Sequence, residues 1–337
     1  MIKITSILLV LSSCFFVFGQ NRAKDSAAIE SFADKFVLKL NIDTQTDDYT
    51  FIDASDGTML DVRANNKYRL ALSLDFQFIG ISLGFSPSFL NNNDNNESKG
   101  ESAFSDFRFR AALGQWIQGF QFSSIRGYYL ENTRDFVPDW IEGTDPYLQF
   151  PNLSYRTFGM STSYNFNPNF SFRNVLYNTE WQKKSAGSLI PTLYYSYDRF
   201  SNIDAGVKSS EEIFPIRLAI AYYYTFVVGE NWYITPNISP SLGVRFSAFK
   251  LESEESRIKE QNTYFTKSLE GGLQMGYASK KVIFGAKINF DVNWYNDEGN
   301  SFQENNKIFA QVFFGYRLNA PAFVTRAYDK FAKKLGL

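Results

Sequence analysis

Residues 67–78 read KYRLALSLDFQF, and from Tyr68 onward every second side chain is apolar while those between are polar or small. Successive side chains of a β-strand point to opposite sides, so this alternation predicts a strand with one apolar face. The same pattern returns along 217–226, 282–294 and 308–318. We therefore predict an all-β protein.

The length of these stretches distinguishes a membrane barrel from a soluble antiparallel sandwich, whose strands also alternate. Soluble strands usually have about 5–6 residues, whereas a tilted strand that crosses a membrane needs about 9–11, and several stretches reach that length. Aromatic residues lie near the strand ends, where an interfacial girdle would place them. They are Trp116, Trp232, Tyr233, Trp294 and Tyr295.

These patterns predict a transmembrane antiparallel β-barrel of the outer membrane over residues 35–319. Counting from Lys67 gives about twelve strands, and the weaker stretches 35–43 and 49–63 would raise the count to about fourteen. Apolar residues at helical spacing also predict a short amphipathic helix at each end, the second a periplasmic one over 320–337. The helical sets are Ile29, Phe32, Ala33 and Phe36, and, after Pro321, Phe323, Ala327, Phe331 and Leu335.

Long polar connections are expected to be extracellular loops, and tight connections are expected to be periplasmic turns. On that basis the strand directions disagree between 167 and 212, so either a strand is missed there or a segment folds into the lumen. The long connections are 91–100, 131–152, 201–212, 252–262 and 296–306, and the tight ones include 167–169 and 229–231.

The N-terminal stretch 1–19 has the charged start, short apolar run and small final residue of a secretory signal peptide. Its removal would leave a periplasmic segment over 20–34. Cys14 also fits a lipoprotein signal, but the apolar run continues to Phe18, where a lipoprotein would normally turn polar. We therefore expect a mature chain that begins at Gln20 and carries no lipid.

The composition excludes several classes of protein. The chain has 337 residues, is 18% aromatic and 20% charged, and carries a formal net charge of −1, which excludes a disordered chain and a basic nucleic-acid binder. It contains no histidine, so mechanisms that need an imidazole base or ligand are excluded. We predict no catalytic residue, no metal ion, no cofactor and no nucleic-acid partner.

Charged residues occupy the polar phase of the predicted strands, well away from their ends, which indicates a wet, ion-paired lumen. Because unpaired charges in a confined space of low dielectric are costly, we expect networks across the lumen that narrow its bore. The predicted network comprises Arg69, Asp75, Asp106, Arg108, Arg110, Arg217, Arg245, Glu270, Lys287, Asp291 and Arg317.

Four motifs together resemble a family of Bacteroidetes-type outer-membrane barrels known only as a domain of unknown function. They are 179–188 with the preceding 170–173, 127–130, 224–227 and 315–318. The resemblance extends from about Ile29 to Pro321 and implies an outer-membrane barrel with no assigned catalytic residue. Its most specific motif comprises Glu180, Trp181, Gln182, Lys183, Lys184, Ser185 and Gly187.

Other motifs carry little functional weight. Residues 80–84 match the nucleophile-elbow pattern, but they alternate regularly and no histidine exists to activate Ser82. The oxygen-rich stretches 91–97 and 296–299 lack the spacing of a calcium loop and are interpreted as surface loops. The adjacent Lys183 and Lys184 could contact lipopolysaccharide phosphate or a partner, or could form a simple polar turn.

Three functions are compatible with these features. A structural or accessory envelope barrel, such as a subunit of an outer-membrane complex, is favoured because no active site is evident. A narrow passive channel for small solutes is the alternative, and a membrane-embedded hydrolase with an Asp/Glu pair is the least favoured. The expected partners are outer-membrane lipid and lipopolysaccharide, and they could include other outer-membrane proteins.

Overall fold

The computed structural model describes residues 28–44, 48–52, 56–90, 95–204, 206–254, 256–295, 301–304 and 307–335. The predicted signal peptide, Cys14 and most of the 20–34 segment lie outside the described residues, as does most of the 91–97 stretch. Within the described part of the chain, no helix is both long enough and apolar enough to cross a membrane.

Strands dominate the described residues, with three short α-helices: α1 (Asn96–Lys99), α2 (Phe172–Leu176) and α3 (Ala322–Leu335). In chain order the strands are β1 (Ile29–Ser31), β2 (Lys35–Asp43), β3 (Asp48–Ile52), β4 (Met59–Arg63), β5 (Arg69–Phe76), β6 (Ile79–Phe85), β7 (Ala103–Leu113), β8 (Trp116–Leu130), β9 (Gln149–Tyr164), β10 (Glu180–Gln182), β11 (Ala186–Asp204), β12 (Val207–Val228), β13 (Trp232–Glu252), β14 (Arg257–Ala278), β15 (Val282–Tyr295), β16 (Ser301–Glu304) and β17 (Lys307–Asn319).

Twelve of these strands close into an antiparallel barrel, in the ring order β2-β5-β6-β7-β8-β9-β11-β12-β13-β14-β15-β17. The ring closes where β17 pairs with β2, and the predicted weak strand 35–43 is therefore a full member of the wall. The predicted fold class and the lower strand count are confirmed. Because each strand pairs on both sides, the wall has no open edge.

The outer face of the barrel is apolar and the inner face is polar. On β12, the outward side chains of Phe214, Ile216 and Leu218 are 47–51% exposed, whereas Arg217 between them faces the lumen. A closed barrel with an apolar exterior is one of the two structures that can span a bilayer. The chain is therefore an outer-membrane β-barrel protein.

The aromatic girdle is only partly as predicted. Trp116, Trp232 and Trp294 are exposed on the outer face, at 39–51% of their surface. The prediction for Tyr233 is wrong, because its side chain has the inward phase and is 1% exposed. The side chain of Tyr295 lies outside the described residues.

The wall is much taller on one side. Strands β11 to β14 have 19 to 22 residues, whereas β5 and β6 have 8 and 7. A strand of that length rises roughly 70 Å along its own direction, more than a tilted crossing of a ~30 Å hydrocarbon layer needs. The long loops predicted at 201–212 and 252–262 are wrong, because most of their described residues belong to these strands. The strands extend beyond the membrane, where water on both faces removes the alternation.

The conflict of strand directions between 167 and 212 also has a structural answer. Strand β11 is a wall strand that extends over the full height of the barrel. The chain between β9 and β11 enters the lumen from the short-turn end. The predicted turn at 167–169 is wrong, because these residues open this inward segment and do not join two wall strands. The turn predicted at 229–231 joins β12 to β13 and is confirmed.

A small sheet lies at the other, extracellular end. Strand β4 pairs with the end of β8, β3 pairs with β4, and β16 from the β15–β17 connection pairs with β3. Since β8 and β15 are six strands apart in the ring of twelve, this sheet connects opposite sides of the mouth. We call β3, β4 and β16 the lid; the stretch 49–63 belongs to it and adds no wall strand.

The first and last described segments of the chain lie at the short-turn end. The predicted N-terminal helix is wrong, because residues 29–31 form β1, which pairs with β10, and Phe36 lies in β2. Pairing with the inward segment therefore overrides the helical spacing of the apolar residues. The C-terminal helix is confirmed as α3, and Tyr328 packs on Phe76 and Phe78 with ring centroids 5.4 and 4.9 Å apart.

Candidate functional site

The lumen contains a plug, which we define as residues 165–185 and which includes α2 and β10. Its aromatic residues face inward-pointing residues of the wall: Phe172 lies 5.1 Å from Tyr223 of β12, and Trp181 lies 5.7 Å from Tyr233 of β13, measured between ring centroids. Phe170 and Tyr177 are almost completely buried. The plug therefore occupies the short-turn end of the lumen with an apolar core of its own.

Helix α2 begins at Ser171, whose hydroxyl oxygen accepts a hydrogen bond from the backbone N–H of Asn174 at 3.0 Å. A side-chain cap of this kind satisfies a backbone donor that the helix leaves free. The same hydroxyl donates to the Glu180 carboxylate at 2.6 Å, and Arg173 lies 3.7 Å from that carboxylate. Glu180, the first residue of the family motif, thus joins α2 to β10.

Gln182, also in the motif, connects the plug to the N-terminal segment. Its side-chain carbonyl accepts from the backbone N–H of Ser171 at 2.7 Å, and its amide donates to the carbonyl oxygens of Asn169 and Lys184 at 2.9 and 2.8 Å. A longer contact of 3.4 Å reaches the carbonyl oxygen of Ala28. The side chain is fully buried, so each of these bonds replaces one that water cannot supply.

Charged side chains of the wall hold the plug through its carbonyl oxygens. Lys39 of β2 donates to the carbonyl oxygen of Tyr177 at 3.2 Å and pairs with Asp75 of β5 at 3.0 Å. Arg317 of β17 donates to the carbonyl oxygen of Asn178 at 2.8 Å and to that of Ser279. The plug is therefore hydrogen-bonded to side chains of two neighbouring wall strands, β2 and β17, as well as packed against the wall.

Two glycines permit close approaches here. A Cβ at Gly80 of β6 would lie 2.4 Å from an Asp75 oxygen and 2.9 Å from the Tyr177 ring, so glycine allows the ion pair and the plug to reach the wall. A Cβ at Gly187, the last motif residue, would lie 2.7 Å from the carbonyl oxygen of Tyr223. Glycine is needed at these two positions because a larger side chain would collide with the neighbouring atoms.

The remaining motif residues lie where the plug leaves the lumen. Lys183 and Lys184 are exposed at the short-turn end, and Lys183 lies 3.9 Å from Glu30. The hydroxyl oxygen of Ser185 accepts from the backbone N–H of Val227 at 3.0 Å. Contact of the lysine pair with lipopolysaccharide stays a prediction, and its position favours contact with periplasmic groups instead.

The predicted charge network is divided into two clusters. In the first, near the plug, Arg108 pairs with Asp106 at 2.8 Å, and Asp106 also accepts from Gln121 at 2.7 Å. Arg69 stacks on the Phe104 ring at 4.1 Å. The other predicted members of this cluster are Asp75, Arg110, Lys287 and Arg317.

The second cluster lies on β12 to β15. Arg217 pairs with Glu270 and donates to Ser268 at 2.8 Å. Asp291 and Arg217 line one cavity of the lumen, which is described below. Arg245 pairs with Glu211 at 3.2 Å. These four strands are neighbours, so the second cluster follows the wall and does not cross the lumen.

Sequence reasoning missed several residues of the site. Lys39 has the polar phase of β2, and treating 35–43 as a weak strand hid it. Glu211 was assigned to a loop that is in fact strand. Ser171 and Tyr177 lie in the plug, where no periodic pattern marks which side chains point inward.

Cavities lie above the plug, among the residues that the structure describes. One has a volume of about 560 Å³ and extends from Phe172 and Leu176 of the plug to Tyr155 and Ile213 near the lid. A smaller one, of about 200 Å³, lies between the plug and strands β2, β5, β6, β7, β15 and β17.

The lid covers the larger cavity with aromatic side chains. Tyr49 of β3 is 2% exposed, and its ring centroid lies 4.9 Å from Phe200 and 5.2 Å from Tyr155. In the neighbouring loop, partial burial, followed by the charges of Glu131 and Glu142, raises the pKa of the Tyr147 hydroxyl above its ordinary value. Both ends of the lumen are therefore covered by packed residues.

The described residues form neither a nucleophile elbow nor a cluster of metal ligands. Residues 80–84 lie in β6, a regular strand that follows a tight turn, so they form no strand-to-helix elbow. Within the described ranges, no group of three or more Cys, Asp or Glu side chains is placed to hold a metal ion.

A family model described as a domain of unknown function (DUF4421) matches residues 23–318. No curated protein matches the sequence.

Several solved outer-membrane barrels are similar in fold. The outer membrane protease OmpT of Escherichia coli is 8% identical, with 85% of this chain and 95% of that chain covered and a TM-score of 0.33. OmpT of Vibrio cholerae, an outer membrane protein, is 8% identical, with 89% and 100% covered and a TM-score of 0.30. A mutant of the TodX monoaromatic hydrocarbon channel is 11% identical, with 87% and 91% covered and a TM-score of 0.35. No residue of the lumen receives a role from these likenesses.

Proposed function

We propose that this chain, which belongs to the DUF4421 family of unknown function, is a closed, non-enzymatic barrel. It serves as a structural or accessory component of the outer membrane. The observation that carries the proposal is the plug, which fills the short-turn end of the lumen and is hydrogen-bonded to the wall by Lys39 and Arg317. A conducting pore needs a continuous wet path, and this segment interrupts it.

Three further features support a closed barrel. The lid lies across the opposite mouth, with Tyr49 packed on the inner wall. Helix α3 packs under the β5–β6 turn through Tyr328. The motif residues Glu180 and Gln182 make bonds inside the plug, which suggests that maintaining this closure is their role.

A non-enzymatic role is supported by the chemistry of the lumen. The sequence has no histidine, and Ser82 lies in a regular strand instead of the strand-to-helix elbow that presents a nucleophilic serine. Charged side chains of the second cluster form ion pairs along the wall, as Arg217 does with Glu270. Association with other envelope proteins is part of the proposal, and the tall wall formed by β11 to β14 offers surface beyond the membrane for it.

Solute entry into vesicles tests the proposal against the passive-channel alternative. Proteoliposomes that contain the purified full chain are expected to swell in arabinose no faster than protein-free vesicles, because the plug blocks the lumen. Swelling is followed by light scattering, with a general porin as the positive control. Swelling at a rate comparable to the porin would contradict the closed barrel and favour the channel.

A further inference from the structure

The smaller lumen cavity has an excess of positive charge. Five cations line it: Lys39, Arg69, Arg108, Arg110 and Lys287. Three carboxylates line it as well, those of Asp43, Asp75 and Asp106. Five positive charges against three negative charges leave an excess of two positive charges around about 200 Å³.

The pairing within this cavity shows where the excess lies. Lys39 is paired with Asp75, and Arg108 with Asp106. Among the residues that the structure describes, neither Arg110 nor Lys287 has a carboxylate within the 4.0 Å of an ion pair. The guanidinium carbon of Arg110 lies 6.0 Å from the ring centroid of Tyr177.

Two like charges confined in this way are costly. The charges of Lys39, Arg108 and Arg110 all act on Lys287, the charge of Asp75 opposes them, and all five residues line the same space. Confined charges are compensated in proteins by a counter-charge with good hydrogen-bonding geometry. Guanidinium and ammonium groups bind the oxygens of phosphate and carboxylate groups, the guanidinium often through two parallel bonds.

We propose that the cavity between the plug and strands β2, β5, β6, β7, β15 and β17 binds a small soluble dianion through Arg110 of β7 and Lys287 of β15. The ligand is an oxyanion of the phosphate or dicarboxylate class, which supplies the two missing negative charges. The volume is several times the ~30 Å³ share of one water molecule, enough for a small ligand of this class.

The route of entry identifies the source of the ligand as solution and not lipid. Strands β15, β17, β2, β5, β6 and β7 are each paired with the next around the ring, so the cavity has no opening toward the hydrocarbon layer. Arg108 and Arg110 line the larger cavity as well, so the two cavities adjoin each other inside the lumen, which a ligand reaches from water. The inference goes beyond the closed-barrel role and does not depend on it.

Equilibrium dialysis of the purified full chain in a zwitterionic detergent tests the proposal. Radiolabelled inorganic phosphate is used in one arm and radiolabelled succinate in the other, and saturable binding of one anion per chain is expected in at least one arm. Lys287→Gln and Arg110→Gln are each expected to weaken that binding roughly tenfold or more, because each removes a charged hydrogen-bond donor.

A charge-neutral double variant provides the matched control. Arg217→Gln combined with Glu270→Gln removes a paired cation and its carboxylate from the other cluster, and binding should stay unchanged. Because Lys287 makes no ion pair in the described structure, its replacement should leave folding intact, which the heat-dependent gel mobility of the barrel checks. Absence of saturable binding in both arms, or equal binding by Lys287→Gln and the unaltered chain, would overturn the proposal.

Discussion

Replacement of Lys39 by methionine is expected to lower the free energy of unfolding by about 3–5 kcal/mol, because it leaves a buried carboxylate without its cation. The side chains of Lys39 and Asp75 are only 8% and 4% exposed. The variant also removes the donor that reaches the carbonyl oxygens of Leu176 and Tyr177 in the plug. Unfolding by denaturant, followed by tryptophan fluorescence, measures the change, to which Trp181 in the plug contributes.

Lys35→Met is the matched control for this variant. Lys35 lies on the same strand and pairs with Asp34, but the two side chains are 22% and 73% exposed. Exposed pairs contribute about 0–1 kcal/mol, so the control should unfold nearly as the unaltered chain does. Adding Asp75→Asn to Lys39→Met should recover part of the loss. Equal effects of the Lys39 and Lys35 variants would contradict the assignment of Lys39 as a support of the plug.

Replacement of Gln182 by leucine is expected to loosen the plug while the wall stays folded. The variant leaves the Ser171 N–H and the carbonyl oxygens of Asn169 and Lys184 without their side-chain partner in a buried site. Each unsatisfied buried group costs about 1–3 kcal/mol, which should raise the open population of the plug by a factor of roughly a hundred.

Hydrogen exchange measured by mass spectrometry reports this opening. Peptides from 170–182 should exchange much faster in Gln182→Leu, whereas peptides from β12 and β13 should keep their protection. Gln149→Leu is the control, because Gln149 is exposed and its amide donates to Ser98 at the other end of the barrel. Unchanged protection of 170–182 in Gln182→Leu would show that this residue does not hold the plug.

The wall could be predicted from sequence because the membrane imposes a local rule. Wherever a strand lies between lipid and lumen, adjacent residues must differ in polarity, as Leu218 and Arg217 do. The rule fails above the membrane, where both faces meet water, and strand residues such as 201–204 then resemble a loop. Strand β2 follows the rule, because Leu38 and Leu40 are exposed while Lys39 between them is buried.

The plug could not be predicted in the same way because distant contacts determine it. Lys39 and the carbonyl oxygen of Tyr177 are 138 residues apart in sequence, and β1 and β10 form a sheet only because the lumen brings them together. The disagreement of strand directions was a sequence signal of the plug. It located the interval 167–212 but did not show how that interval folds. The ion pairs could be predicted in part. Arg217 and Glu270 form an ion pair on the lumen side of the wall, whereas Arg110 and Lys287 line one cavity and neither forms an ion pair in the described structure.

Ion conductance in planar lipid bilayers tests the closed lumen most directly. The unaltered chain is compared with a variant in which residues 168–183 are replaced by a short Gly-Ser linker, after heat-dependent gel mobility has shown that both are folded barrels. The account predicts little or no steady conductance from the unaltered chain and stable conductance steps from the variant, because the plug is the segment that interrupts the wet path. Stable, ohmic conductance from the unaltered chain, equal to that of the variant, would contradict it.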